Sequence, residues 1–298
     1  MSAPRVTVVM RTKDVEWVVD RALVALFSQT YRNFELVVVD SGSTDSTLKL
    51  VKRHPCRLVQ IPAERYYPGA VLNDALADVR TELVVFQNSD VVPVDAHALE
   101  RLVAPMDDPR TVATFARQIP RPEAHTWVRR DYDVAFPATG QPPPWMTYSL
   151  PFAAMRRSVW QERGFYRDAW GSEDTEWGAW ARRAGHVVQY VPDAVVMHSH
   201  NYTLRQMWGR RFIEGEADAF IARRPSSPIG TARRMVSSLI HDVKSHVEAG
   251  DYVGLAQAPA RRAVFHLAHL SGHRHGERRI ETKSEDVSVG QRAVLSRY

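Results

Sequence analysis

Four short clusters hold the residue types that could do chemistry. Asp40-Ser41-Gly42-Ser43-Thr44-Asp45 closes an apolar stretch. A carboxylate at a strand end can accept hydrogen bonds from a nucleobase or a ribose, although Asp-Ser-Gly by itself also makes a turn with a helix cap. Asn88-Ser89-Asp90 closes a second apolar stretch. One carboxylate and an amide oxygen are hard ligands, suited to Mg²⁺ or Mn²⁺ carrying a diphosphate; a plain turn is the other reading. In Trp170-Gly171-Ser172-Glu173-Asp174-Thr175-Glu176-Trp177, Ser172 can cap a helix whose acidic first turn suits the positive end of its dipole. Alternatively, one carboxylate there is a general base aimed into a cleft, with the tryptophans as a sugar-stacking surface. In His198-Ser199-His200-Asn201, two histidines at i and i+2 on a strand face one side and could share a metal.

Such residues need a scaffold, and hydrophobic periodicity supplies one. Residues 6–10 form an apolar, β-branched run, as a buried parallel strand does. Residues 14–29 carry apolar side chains at helical spacing. Strands are expected at 35–40, 57–61 and 83–87, with helices from the Ser43/Thr44 cap through Arg53 and over 69–79. Strand and helix alternate with short connections, which argues for an α/β fold with a mixed, mainly parallel sheet flanked by helices; ligands bind such sheets at the carboxyl edge. Residues 120–151 hold seven prolines and read as a long irregular excursion. A helix is expected over 173–184, short strands at 187–191 and 194–197 broken by Pro192-Asp193, a helix over 204–223, and then two amphipathic helices, 232–249 and 260–270, before a polar tail.

Composition bounds the alternatives. Of 298 residues, 44% are hydrophobic and 24% charged, an ordinary globular mix. A single cysteine, Cys56, excludes an intrachain disulfide framework and a cysteine-based zinc site. No apolar run reaches the roughly 18 residues of a membrane span, so the expected location is cytoplasmic. Net charge is +5, but from Ile221 onward 13 Lys/Arg stand against 7 Asp/Glu. That basic tail suits the inner face of an anionic membrane, a lipid-diphosphate acceptor or, as a plain packing surface, a homodimer. It lacks interleaved aromatics, which argues against nucleic acid.

The order of the clusters is more specific than any one of them. Residues 6–14 (Val-Thr-Val-Val-Met-Arg-Thr-Lys-Asp) and residues 29–47, from Gln29-Thr30-Tyr31 to Asp45-Ser46-Thr47, together with Asn88-Ser89-Asp90, Glu173-Asp174 and His198/His200, resemble the inverting family 2 glycosyltransferases of the GT-A (Rossmann-like) fold. Tyr67-Pro68-Gly69, residues 83–93 and the stretch from His198 to Gly215 look most like bacterial rhamnosyltransferase-type members, which build surface polysaccharides. The resemblance implies a GT-A domain over residues 1–215 and a helical extension over 216–298. It also implies a nucleotide-diphosphate sugar donor and a glycan, lipid-linked or small-molecule hydroxyl acceptor. Arg11, Thr12, Asp14, Asp40, Ser41, Asn73, Asn88, Ser89 and Asp90 would hold the donor. Asp90 with His198 or His200 would hold the divalent cation, Mg²⁺ or Mn²⁺. Asp174 would be the base, and Trp170, Gly171, Glu173 and Trp177 would meet the acceptor sugar. Asn88 stands where the family commonly has an aspartate, and Leu72 where many members have an arginine. The competing readings are a non-catalytic nucleotide-sugar or glycan binder on the same fold and a nucleotidyltransferase, whose glycine-rich phosphate loop is missing from Met10-Arg11-Thr12-Lys13-Asp14.

Overall fold

The computed structural model describes residues 4–295 and divides them into two compact units. The first comprises residues up to Arg121, Tyr132–Phe165 and Trp177–Ser199; the second comprises Pro122–Asp131, Tyr166–Glu176 and residues from His200 onward.

The first unit is built on one sheet. Its elements in chain order are β1 (Val6–Thr12), α1 (Val19–Phe27), β2 (Phe34–Asp40), α2 (Thr47–Val51), β3 (Arg57–Gln60), α3 (Pro68–Ala77), β4 (Leu83–Gln87), β5 (Val92–Pro93), α4 (Ala98–Val103) and β6 (Thr111–Ile119). Then follow α5 (Thr126–Ala135), β7 (Phe152–Arg156), α6 (Arg157–Glu162), α7 (Glu173–Arg183) and β8 (Val187–Met197), with the dividing lines between units falling inside α5 and α7. The sheet order is β3-β2-β1-β4-β7-β6-β8-β5. Strands β1 to β4 are parallel, β6 and β8 point the same way, and β7 and β5 run against them.

Alternation along the strands sorts the core into two layers. Val6, Val8 and Met10 of β1 pack with Leu83 and Val85 of β4 against Val19, Leu23 and Leu26 of α1. Val9, Val84 and Phe86 face the other way, onto Leu72 and Leu76 of α3 and the aromatics Phe115, Tyr148 and Trp177. With both faces covered, the central strands read as continuous apolar runs.

The second unit is helical: α8 (Leu204–Ala222), α9 (Pro228–Glu248), α10 (Tyr252–Thr282) and α11 (Ser288–Leu295). Thr203 starts α8 with a capping box to Gln206. Glycines let α8 and α10 come close: a Cβ on Gly215 would sit 2.0 Å from the His269 carbonyl oxygen, and one on Gly272 would sit 1.9 Å from that of Phe212. A buried ion cluster ties α9 to α10, where Arg262 donates to both carboxylate oxygens of Asp242, at 2.6 and 2.7 Å, and to Asp131.

Several expectations are corrected. Residues 120–151 are not irregular throughout, since α5 forms inside them. Residues 187–197 are one strand, not two. The register jumps from Ala116–Val191 to Arg117–Val195, so a bulge takes Pro192 and its missing N–H out of the ladder. Helix α1 is confined to Val19–Phe27, because residues 14–16 are spent on loop hydrogen bonds. The expected helix at 260–270 is part of a 31-residue helix that runs through Pro259. Proline costs one backbone bond there, which the extended packing on α8 outweighs. The polar tail contains α11.

Candidate active site

Strand directions decide where polar side chains can meet. One edge of the sheet collects the carboxyl ends of β1, β2, β3, β4, β6 and β8 and the amino ends of β5 and β7. Thr12, Asp40, Asn88, Asp90, Gln118, Ser149 and His198 all belong to that edge of the first unit.

Two of the loops there are sewn together. Asp40 is fully buried, and its carboxylate accepts from the N–H groups of Gly42 (3.0 Å) and Ser43 (3.1 Å) and from the Ser43 hydroxyl. Gly42 turns at φ +83°, where a side chain would be strained. Asp14, itself at φ +47°, accepts from Thr44 N–H (2.7 Å), and its own N–H donates to the Ser43 hydroxyl (3.0 Å). Glu16 N–H donates to Asp45, and Ser46 N–H donates back to Glu16. Burial pushes the Asp45 carboxyl up, but the bonds from Thr47 and Glu16 prevail and hold it below the usual range. Ser41 N–H binds the Thr12 carbonyl (3.1 Å). The Thr12 hydroxyl is buried and has no hydrogen-bond partner among the described residues.

The sheet also joins two residues 108 positions apart. Val92 of β5 pairs with Met197 of β8, so Asp90 just before one strand and His198 just after the other become neighbours. Asp90 Oδ2 lies 3.5 Å from His198 Nε2, and both side chains are largely buried. The opposite ring nitrogen, Nδ1, is 2.7 Å from Gln118 Oε1. The Gln118 amide is oriented in turn by its Nε2 donating to the Ser149 hydroxyl at 2.9 Å. An amide oxygen only accepts, so Nδ1 carries a proton and Nε2 is the nitrogen turned toward Asp90. A carboxylate oxygen and a ring nitrogen facing each other at this distance can share a proton or, with the ring neutral, a cation. A ligating histidine usually has its far nitrogen held in this way. Of the donor set, the carboxylate oxygen suits Mn²⁺ or Mg²⁺, and the added imidazole nitrogen favours Mn²⁺ over the harder Mg²⁺.

Of the other expected donor residues, Ser89 is buried and its N–H donates to the Arg11 carbonyl (3.3 Å), while Asn88 N–H donates to the Pro151 carbonyl (3.0 Å). Asn73 acts as a brace: its Oδ1 accepts from Trp160 Nε1 and Phe165 N–H, both at 2.9 Å, and its Nδ2 donates to the Phe165 carbonyl at 2.8 Å. Residues that sequence reasoning passed over are Gln118, Ser149 and Arg121. Arg121 Nη2 donates to the Asp90 carbonyl, and its guanidinium lies 4.7 Å from the centre of the Trp17 ring. A polar Gln-Ile-Pro-Arg end to β6 was the available signal.

In the second unit, Gly171 (φ +127°) and Ser172 (φ +56°) turn the chain sharply into α7. The Tyr166 hydroxyl pins this turn by donating to the Gly171 carbonyl at 2.7 Å. Glu173, Asp174 and Glu176 make an acidic first turn, and Thr175 N–H donates to Asp174 Oδ1 at 2.7 Å. Asp174 keeps partial exposure, whereas Glu173 is buried. The expected sugar-stacking surface is corrected. Trp177 is 0% exposed, with Nε1 donating to the Arg163 carbonyl, and Trp170 is 3% exposed, so neither offers a ring face. Because β8 ends at Met197, strand alternation does not govern His198 and His200; in the second unit His200 stacks on Tyr202.

Comparisons with known proteins bear on the family and the fold. The profile of "Glycosyl transferase family 2" matches residues 7–164. Over 226 residues the chain is 30% identical to the O-antigen chain rhamnosyltransferase RfbN of Salmonella typhimurium, 71% of each chain being covered. Over 207 residues it is 30% identical to the O-antigen chain rhamnosyltransferase WbaN of Salmonella anatum, and the match spans 64% of that relative's length. Among solved structures, the mannosyltransferase PcManGT from Pyrobaculum calidifontis, in complex with GDP-Man and Mn²⁺, superposes with a TM-score of 0.59 at 19% identity, covering 100% of this chain and 89% of that one. Glucosyl-3-phosphoglycerate synthase from Mycobacterium tuberculosis, with Mn²⁺, UDP and glucosyl-3-phosphoglycerate, gives 0.55 at 18% identity over 75% and 82% of the two chains. These likenesses establish the fold as GT-A.

Proposed function

Because this chain belongs to glycosyl transferase family 2, we propose that it moves a sugar, rhamnose or another hexose, from a nucleotide-diphosphate donor to a hydroxyl of a growing surface polysaccharide or its lipid-linked precursor, with inversion at the anomeric carbon. The observation that carries the reading is the Asp90–His198 pair, whose imidazole is set by Gln118 to turn Nε2 toward the carboxylate. Support for the sugar class comes from the two O-antigen rhamnosyltransferases at 30% identity.

On this reading residues 1–215 make up the transferase domain and 216–298 a helical extension, a functional division distinct from the compact units. Arg11, Thr12, Asp14, Asp40, Ser41, Asn88, Ser89 and Asp90 form the donor floor. The buried Thr12 hydroxyl has hydrogen-bonding capacity to give a ligand. Asp40 contributes mainly by fixing the loop around it, and Asn73 by bracing the segment that ends at Phe165. Asp90 and His198, with His200 two residues along, would hold Mn²⁺ or Mg²⁺. When bound, the ion offsets the negative charge that builds on the departing diphosphate.

Asp174 accepts the proton from the acceptor hydroxyl, whose oxygen displaces the nucleotide diphosphate from the opposite face of the sugar. One base on that face suffices for a single displacement, which gives inversion. Gly171 and Glu173 shape the acceptor side beside it. The test is a transfer assay with a panel of nucleotide sugars with and without Mn²⁺, the product's anomeric configuration being read by NMR. Retention of configuration, or donor binding with no turnover on any acceptor, would overturn the proposal.

A further inference from the structure

Helix α9, in the second unit, is amphipathic in the wrong sense for a solvated protein. Its fully buried side chains are Thr231, Asp242 and His246, all polar. They are held by polar partners: Arg262 and Arg130 on Asp242, and Asp251 on His246 Nδ1 at 2.9 Å. The outward face carries Ile229, Val236, Ile240, Val243 and Val247, each exposed, Ile229 at 70% and Ile240 at 64%. Their spacing of three, four and seven residues puts them on one stripe, about 27 Å long at 1.5 Å per residue. Five bare β-branched side chains in a row form a continuous apolar surface that stays unfavourable in water until something covers it.

Charge indicates what covers it. Exposed Arg233 falls within the stripe's own spacing and exposed Lys244 lies along its edge. An open groove of about 460 Å³ runs between Arg233 and Ile240, lined also by Ala232, Val236, Ser237 and His241. Packing the stripe against an identical helix would press the Arg233 guanidinium into an apolar seam and desolvate it, which is costly. Against a bilayer the same arginine buries its methylenes and raises its charged head to a lipid phosphate. Tyr252 and Val253, just beyond the helix, are 69% and 72% exposed; tyrosine suits the headgroup level. Among the described residues no helix is long and apolar enough to cross a membrane, so α9 would lie in the interface plane.

We infer that the outward face of α9 is a docking surface for an anionic lipid bilayer, seated through Ile229, Val236, Ile240, Val243 and Val247 with Arg233 and Lys244 on lipid phosphates. This surface is independent of the transferase reading, and its test contains neither donor nor acceptor.

The experiment is flotation of the full chain with vesicles of phosphatidylcholine alone and with about 30% phosphatidylglycerol, at low salt and in about 0.5 M NaCl. The wild type is expected to float with the anionic vesicles, less in high salt and little with the neutral ones. Ile240→Glu is expected to lower partitioning at least about tenfold, since a charge then meets the hydrocarbon boundary. Circular dichroism and thermal melting check that the variant folds; should Ile240→Glu fail to fold, the Val236→Ser/Val243→Ser pair carries the same expectation. Flotation of these variants equal to wild type overturns the inference, as does absence of wild-type flotation on anionic vesicles. A dimer in sedimentation equilibrium that Ile240→Glu dissociates also overturns it, by making a second copy the occupant.

Discussion

Asp90 and His198 are 108 residues apart in the chain and 3.5 Å apart in space, joined by two rungs of antiparallel pairing between β5 and β8. Removing either should leave the fold intact, because neither side chain belongs to the apolar core. Asp90→Asn or His198→Ala is expected to weaken Mn²⁺-dependent donor binding at least about tenfold. Calorimetric titration of a nucleotide sugar with and without Mn²⁺ checks this. Unchanged affinity in both variants would remove the pair from the metal site.

Gln118 acts on that pair from behind. Replacing its amide by the similarly shaped Gln118→Leu removes the acceptor for His198 Nδ1–H, so the ring is no longer held in one tautomer. Loss of such a partner typically costs 10–100-fold in metal affinity. We expect a loss of about that size in Mn²⁺ titrations followed by electron paramagnetic resonance, with Gln118→Glu retaining most of the affinity because it still accepts. If Leu and Glu behave alike, the glutamine is only filling space.

Asp174 lies at the start of α7, partly exposed, with Thr175 N–H donating to its Oδ1. Asp174→Asn is expected to lower kcat by ~10²–10⁴-fold while donor affinity stays within a factor of about two. Turnover and binding measured on the same preparation separate the two effects. Wild-type kcat in the variant would exclude Asp174 as the base.

Acid should loosen the second unit. Burial, assisted by Arg211, pushes His266 and His269 from 6.5 down to about 4. Between those values the unfolded chain binds protons that the folded one refuses, so stability falls as pH drops from 6.5 toward 4. His273 works oppositely. Its hydrogen bond to Asp218 raises its pKa, so its contribution is complete below 6.5 and is lost as pH climbs through the raised value. Urea midpoints at pH 7 and pH 5 should drop less for His266→Asn/His269→Asn than for wild type. Equal drops would mean that other groups govern acid sensitivity.

Gly215 and Gly272 have no room for a methyl group. An added Cβ would lie 2.0 Å from the His269 carbonyl oxygen in one case and 1.9 Å from the Phe212 carbonyl oxygen in the other. The obstacle is backbone, so the helices must part. Either alanine variant is expected to cost about 1–3 kcal/mol, the usual range for overpacking, seen as a lower thermal midpoint by circular dichroism.

Strand-end chemistry was legible because it is local. The runs that became β1, β2 and β4 are apolar on both faces, and their polar ends, Thr12, Asp40 and Asn88, fall at one edge by the geometry of parallel pairing. The expected Asp90–His198 association came from a family resemblance, and the sheet supplies its physical cause through β5 and β8. The polar end of β6 hinted at Gln118, but its partner was not legible. Nothing in a single chain marks which glutamine faces a histidine 80 residues later, and β6 itself stood in a stretch with weak alternation. Trp177 was misjudged because its neighbours, Tyr148 and Phe165, arrive from distant segments to bury it. The α9 stripe was visible as amphipathicity, but which side faced inward depended on Asp242 finding Arg262.

The two-rung clip between β5 and β8 also dictates where this protein can tolerate changes in length. Only Val91 separates Asp90 from β5, and His198 follows β8 directly. A one-residue insertion or deletion at either junction would displace the carboxylate or the ring along the chain and part the pair. The stretch around Gly140, where an added methyl would meet nothing, has no such restriction. Lineages of this chain should therefore show gaps freely near Gly140 and none between Asp90 and Pro93.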